Sequence, residues 1–223
     1  MSRMEIQRTI AGLTTTVVGS IDDPLAVVFL HGFSMVAADF APFAHSLGID
    51  AQFWFPEGVV AGSLGGRAWW DIDLAQRAIA LAKGPRDLCQ EVPSGRAAAR
   101  FALAQFLEEI CTEIGTRPWV LVGFSQGGML ALDHALHAAQ LPAALVLLSS
   151  SRIAWLQGQP LLGRLHGLPI LVSHGRSDQD LAFSAGEAIC AAALTGGADV
   201  TWLPFDGGHG VPMIVWRGLR KFL

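Results

Sequence analysis

Five apolar runs of strand length constrain this chain's fold more than any other feature. They are PLAVVFLHG at 24–32, AQFWFP at 51–56, PWVLVGFS at 118–125, AALVLLSS at 143–150 and LPILVSHG at 168–175. A strand with one wet face alternates polar and apolar residues, whereas a continuous apolar run has both faces covered, as in a parallel sheet. A sixth run, ADVTWLPF at 198–205, is more polar and alternates. Helical patterns fall between the runs, over 97–114, 126–140, 184–195 and 212–222. In the first of these, Phe101, Phe106, Leu107, Ile110 and Ile114 lie near one face, with Glu108, Glu109 and Glu113 largely off it. Residues 4–10 and 13–18 read as a hairpin around Ala11-Gly12. The order predicts an α/β fold with a mostly parallel central sheet, helices on both faces and an N-terminal antiparallel hairpin.

The 223 residues are 52% apolar and only 15% charged. A large core is expected, with enough apolar surface left to allow a homodimer. The net charge of −4 has no run of one sign, so neither nucleic acid nor an anionic membrane surface is an expected partner. No stretch is long and apolar enough for a membrane span. The opening MSRMEIQRTIAG has no apolar core of a secretory signal, so a cytoplasmic location is expected. Cys89, Cys111 and Cys190 are far apart and odd in number, which predicts reduced, mostly buried thiols rather than a metal site. Tyrosine is absent, so no step can use one. The chain reads as one domain, 1–223. Residues 57–96 are its least regular part, too long for a plain connection, and read as a lid-like or substrate-lining segment.

Chemistry concentrates where strands end. In GFSQGG at 123–128, Ser125 follows an apolar strand and precedes a helix. A nucleophile on so sharp a turn needs small neighbours, here Gly123 and Gly127. A serine needs a base. His209, in the glycine-flanked loop FDGGHGVP, can present its imidazole there. His134 and His137, in the helix after Ser125, are expected to be partly exposed. His31 and His174 each precede a glycine at a strand end and are expected to hold those loops by hydrogen bonds. His45 and His166 have no supporting context. The base needs an acid: Asp178 is preferred just past a strand end, Asp180 is its competitor, and Asp206 is too near His209 in sequence. An oxyanion needs two N–H donors, and Gln126 and Phe33 of LHGFS are the candidates. Phe33, Leu64, Trp69 and Trp70 are candidates for an acyl-binding surface; for the tryptophans, core packing is the equal alternative.

LHGF at 30–33, AWWDI at 68–72, GFSQGG, PILVSHGRSD at 169–178 and GGHGVP at 207–212 occur in one order along the chain. Together they resemble the phospholipase/carboxylesterase family of α/β-hydrolases, which includes acyl-protein thioesterases. The resemblance implies an α/β-hydrolase fold and a serine carboxylesterase or thioesterase without cofactor, acting on small to medium acyl esters. It implies Ser125, Asp178 and His209 as the triad and agrees with the donors Phe33 and Gln126. It favours Asp178 over Asp180. Other α/β-hydrolase activities (lysophospholipase, lactonase, peptidase) and a non-catalytic binding protein on the same fold are the alternatives. DQDLAF stands where the family usually has Val-Pro after its aspartate, and 73–96 matches no family segment; both places bear on substrate choice.

Overall fold

The computed structural model describes residues 4–223. The first three residues of the segment read for a leader lie outside the described residues. The hairpin forms as expected from β1 (Glu5–Ile10) and β2 (Leu13–Val18), antiparallel, with Ile10 opposite Leu13. Its turn residues Ala11 and Gly12 have φ of 46° and 81°. Two positive φ values suit the right-handed twist of the flanking strands.

The five apolar runs become β3 (Leu25–Leu30), β4 (Ala51–Pro56), β7 (Trp119–Phe124), β8 (Ala144–Leu148) and β9 (Pro169–Gly175), and the alternating run becomes β10 (Asp199–Phe205). Between them, β5 (Val60–Ala61) and β6 (Arg67–Ala68) make a small separate pair. The main sheet has the order β1-β2-β4-β3-β7-β8-β9-β10. β4, β3, β7, β8, β9 and β10 run parallel, and β2 joins β4 antiparallel.

The helices are α1 (Ala41–Leu47), α2 (Leu74–Leu81), α3 (Arg96–Ile114), α4 (Gln126–His137), the single turn α5 (Trp155–Gly158), α6 (Phe183–Thr195) and α7 (Met213–Phe222). Strand parity sorts the core into two layers. Val28, Leu30, Leu121, Leu145 and Ile170 pack with α3, α4 and α6. Val27, Phe29, Val120, Val146 and Leu171 pack with α1 and α7. β3, β4, β7, β8 and β9 thus feed both layers, which is why their sequences are apolar throughout; β10, at the sheet edge, is only partly buried and alternates.

Two sequence expectations fail on the α3–α4 layer. Phe101 is 65% exposed. The buried stripe of α3 is Ala99, Leu103, Phe106, Leu107, Ile110 and Ile114. At 3.6 residues per turn, position 101 lies about 140° around the helix from Phe106. His134 is buried, not partly exposed, and burial pushes its imidazole down to about 4. It sits where α4 meets α3, a helix pair joined by Asp133, which takes Arg96 and, at 3.1 Å, Arg100. Of the thiols, Cys190 is buried while Cys89 and Cys111 are half-buried. No helix among the described residues is long and apolar enough to cross a membrane.

Candidate active site

β7 ends at Phe124 and α4 begins at Gln126, so Ser125 alone makes the turn, with φ 53° and ψ −116°. A side chain rarely adopts that conformation, and holding it costs on the order of 1–3 kcal/mol. The surroundings fix it. Ser125 N–H donates to Leu148 O at 2.9 Å. Its carbonyl accepts Met129 N–H at 3.1 Å and the Ser150 hydroxyl at 3.1 Å. The glycines either side make the turn possible. A Cβ at 123 would stand 2.4 Å from Gly127 O, and one at 127 would stand 2.2 Å from Leu30 O.

His209 reaches this turn from the loop after β10. Its Nε2 is 2.9 Å from Ser125 Oγ, and its Nδ1 is 2.7 Å from Asp178 Oδ2. The loop carrying His209 lies against the end of β9, where Ser177 N–H donates to Gly207 O at 2.9 Å. A Cβ at Gly175 would stand 2.3 Å from Gly208 O, so glycine is required for this approach too. Asp178 is buried, and its Oδ1 accepts the N–H groups of Asp180 at 2.8 Å and Leu181 at 3.0 Å. Burial works to raise its pKa, but hydrogen bonds from His174 and His209 outweigh that and hold the carboxyl well below the usual range. Asp180 faces elsewhere. It pairs with Arg77 at 2.7 Å and with Arg86, tying α2 and the 85–91 strap to the loop after β9.

The loop after β3 carries the second candidate N–H donor, Phe33. His31 holds this loop as the sequence suggests: its Nε2 accepts Gly58 N–H at 2.9 Å, so the proton is on Nδ1, 2.7 Å from Gly32 O. Burial keeps the ring neutral, with its pKa down to about 4. Trp69 is fully buried behind this loop, with Nε1–H donating to His31 O at 3.0 Å. It is core and does not line the cleft. Gln126 opens α4, so its N–H is one of the helix-start donors without an intrahelical acceptor. The Gln126 side chain does something the sequence did not signal. Its Oε1 accepts Trp69 N–H at 2.9 Å and its Nε2 donates to Trp70 O at 2.8 Å, both buried. Replacing Gln126 by Leu leaves both main-chain groups unpaired, at about 1–3 kcal/mol each. Thermal unfolding should show the loss as a drop in Tm of several degrees, and an unchanged Tm would mean water replaces the amide.

Ser125, Gln126, His209, Phe33, Leu64 and Trp70 border one cleft of ≈ 670 Å³. Its apolar wall includes Ile72, Leu88, Met129, Ile153 and Leu181, and Arg77, Arg86 and Asp180 lie in its charged part. Residues 57–91 form much of this wall. The strap 85–91 is stitched to the body, with Arg86 N–H on Asp180 O at 3.0 Å and Ala154 N–H on Glu91 O at 2.7 Å. Among the described residues, no three His, Cys, Asp or Glu side chains gather as a metal-binding group.

A family model described as Phospholipase/Carboxylesterase matches residues 94–222. The chain belongs to the phospholipase/carboxylesterase family. The matched part of this family chain holds Ser125, Asp178 and His209 but neither the 30–34 loop nor the 68–72 segment. No curated protein sequence matches it. Solved structures do, over 93–100% of this chain in the three that follow. Esterase PE8 is 21% identical, with a TM-score of 0.76, covering 100% of this chain and 98% of that one. An acyl-protein thioesterase 2 from Zea mays is 20% identical, with a TM-score of 0.75 and coverages of 93% and 96%. A carboxylesterase from Mesorhizobium loti is 15% identical, with a TM-score of 0.75 and coverages of 100% and 98%. At these identities the likeness carries the α/β-hydrolase fold, and the family model carries membership.

Proposed function

We propose that this phospholipase/carboxylesterase family member is a serine carboxylesterase or thioesterase that hydrolyses small to medium acyl esters through an acyl-enzyme on Ser125. The observation that carries this reading is the unbroken line from Ser125 Oγ to His209 Nε2, 2.9 Å, and from His209 Nδ1 to Asp178 Oδ2, 2.7 Å, on the wall of an apolar cleft. The Zea mays relative's name supports including thioesters.

The chemistry follows from the atoms. Ser125 Oγ attacks the carbonyl carbon while His209 Nε2 takes its proton. Asp178 keeps the other imidazole proton on Nδ1 and stabilises the imidazolium. The oxyanion is held by Gln126 N–H, at the positive end of α4, and by Phe33 N–H. His209 then protonates the leaving oxygen or sulfur. In the second half it removes a proton from water, which attacks the acyl carbon, and returns the proton to Ser125.

The acyl chain lies against Trp70, Ile72, Met129 and Ile153. Apolar walls discriminate weakly, about 1–3 kcal/mol per methylene, so chain-length selectivity is expected to be shallow. Purified protein assayed on p-nitrophenyl esters from acetate to palmitate should be most active at short to middle lengths. One equivalent of a fluorophosphonate should label the peptide holding Ser125 and abolish hydrolysis. A protein that neither hydrolyses the series nor takes the label overturns the proposal.

A further inference from the structure

His174, the penultimate residue of β9, has a fully buried imidazole. Its Nε2 is 3.0 Å from Leu181 O, an atom that can only accept, so Nε2 carries a proton. The same Nε2 lies 3.3 Å from Asp178 Oδ2. Nδ1 is buried without a hydrogen-bond partner among the described residues. Gly186 of α6 crowds that side, where a Cβ would stand 2.8 Å from Nδ1. A proton on Nδ1 would be a buried donor with nothing to bind, so the hydrogen-bond geometry places the ring proton on Nε2.

We propose that His174 is a positioning residue for the reaction: its Nε2–H, shared between Leu181 O and Asp178 Oδ2, aims the carboxylate at His209 and limits the basicity of that base. This rests on the triad proposed above.

With His174, four donors surround Asp178: the N–H groups of Asp180 and Leu181 on Oδ1, and His209 and His174 on Oδ2. A carboxylate has about four lone-pair sites; three take direct hydrogen bonds and the fourth faces His174 Nε2 at 3.3 Å. Both Oδ2 donors draw on the same oxygen. Each hydrogen bond given to Oδ2 by His174 lessens what that oxygen offers the His209 imidazolium. The sign follows: without the His174 donor, the imidazolium is better stabilised and His209 stays protonated to higher pH. The other charges facing the pair are already matched. Asp180 on the same loop is held by Arg77 of α2 and Arg86 of the strap. Arg176 lies 3.5 Å from Asp206 of the loop that carries His209.

The test compares the wild type with His174→Met, which removes the donor at similar length, and His174→Gln, whose amide restores an N–H near the Nε2 position. The His209 pKa is read by NMR, and beside it the acid limb of kcat/KM against pH. In His174→Met both should rise by about 0.5–1 unit, with kcat lower on the plateau; in His174→Gln both should return toward the wild-type values. An unmoved His209 pKa in His174→Met overturns the proposal, as does an equal shift in both variants. Should His174→Met fail to fold, the 15N shifts of wild-type His174 decide: a protonated Nε2 and a bare Nδ1 that does not titrate between pH 5 and 8 are required, and a bare Nε2 refutes it. The NMR titration needs no turnover, so the two failures are distinguishable: an inactive wild type overturns the esterase reading and this role with it, whereas an active wild type whose His209 pKa does not move in His174→Met overturns this role alone.

Discussion

Ser125→Ala is expected to lower kcat on p-nitrophenyl esters by about a millionfold, to the residual rate that binding and oxyanion donors give without a nucleophile. Nothing else should change much, because Ser125 is held by its main chain: N–H to Leu148 O, and O to Met129 N–H and the Ser150 hydroxyl. The unfolding midpoint of the variant is therefore a control for the loss. The acid separates the two carboxylates that the sequence left in competition. Asp178→Asn should cost about 10⁴-fold in kcat. An amide facing His209 Nδ1 can donate, which moves the imidazole proton to Nε2 and leaves no base for the serine. Asp180→Asn should cost far less, because Asp180 spends its carboxylate on Arg77 and Arg86 rather than on His209. Its main effect should be on stability, read by thermal unfolding. An inactive Asp180→Asn beside an active Asp178→Asn would overturn the assignment, and hydrolysis that survives Ser125→Ala would overturn the acyl-enzyme.

The contrast between these two aspartates shows what a sequence can carry. Five strands were legible because a strand buried on both faces must be apolar throughout, and β10 because a half-buried strand alternates; both are local properties. The placement of Ser125, Asp178 and His209 was legible for a related reason. Each follows a strand end, and in a parallel sheet the strand ends gather on one side. The glycines at 123, 127 and 175 mark close backbone approaches that leave a local trace. Contacts that depend on long loops left none. Arg77 and Arg86 lie 103 and 94 residues from the Asp180 they bind, and Gln126 lies 57 and 56 residues from the tryptophans it clamps. No spacing rule connects such pairs. Burial of a polar ring also depends on neighbours the sequence does not name. His134 looked exposed because its own helix offers no clue to α3 packed over it, and Trp69 looked available to a substrate because indole suits a cleft and a core equally well.

Gly127→Ala should be the most damaging single-methyl change in the chain. The added Cβ would stand 2.2 Å from Leu30 O and 2.6 Å from His31 O. Both are main-chain atoms at the end of β3, so no side chain can swing aside. Leu30 is paired with Gly123 across β3 and β7, and moving either strand opens the sheet at its centre. The His31 carbonyl also accepts the Trp69 indole, so a shift there strands a buried donor and drags the Phe33 loop away from Ser125. We expect a loss of at least about 4 kcal/mol, which in a chain of this size is a fall in Tm of roughly 8–16 °C, together with loss of the proposed esterase activity. Gly163→Ala is the matched control. A Cβ there meets nothing within 4 Å and φ is not in the left-handed region, so its effect should stay within about 0.5 kcal/mol. Thermal unfolding of the two variants beside the wild type checks this. If Gly127→Ala melts with the wild type and keeps its kcat, the strand end and the serine turn do not press on each other as closely as 2.2 Å implies, and the steric reason for glycine at 127 fails.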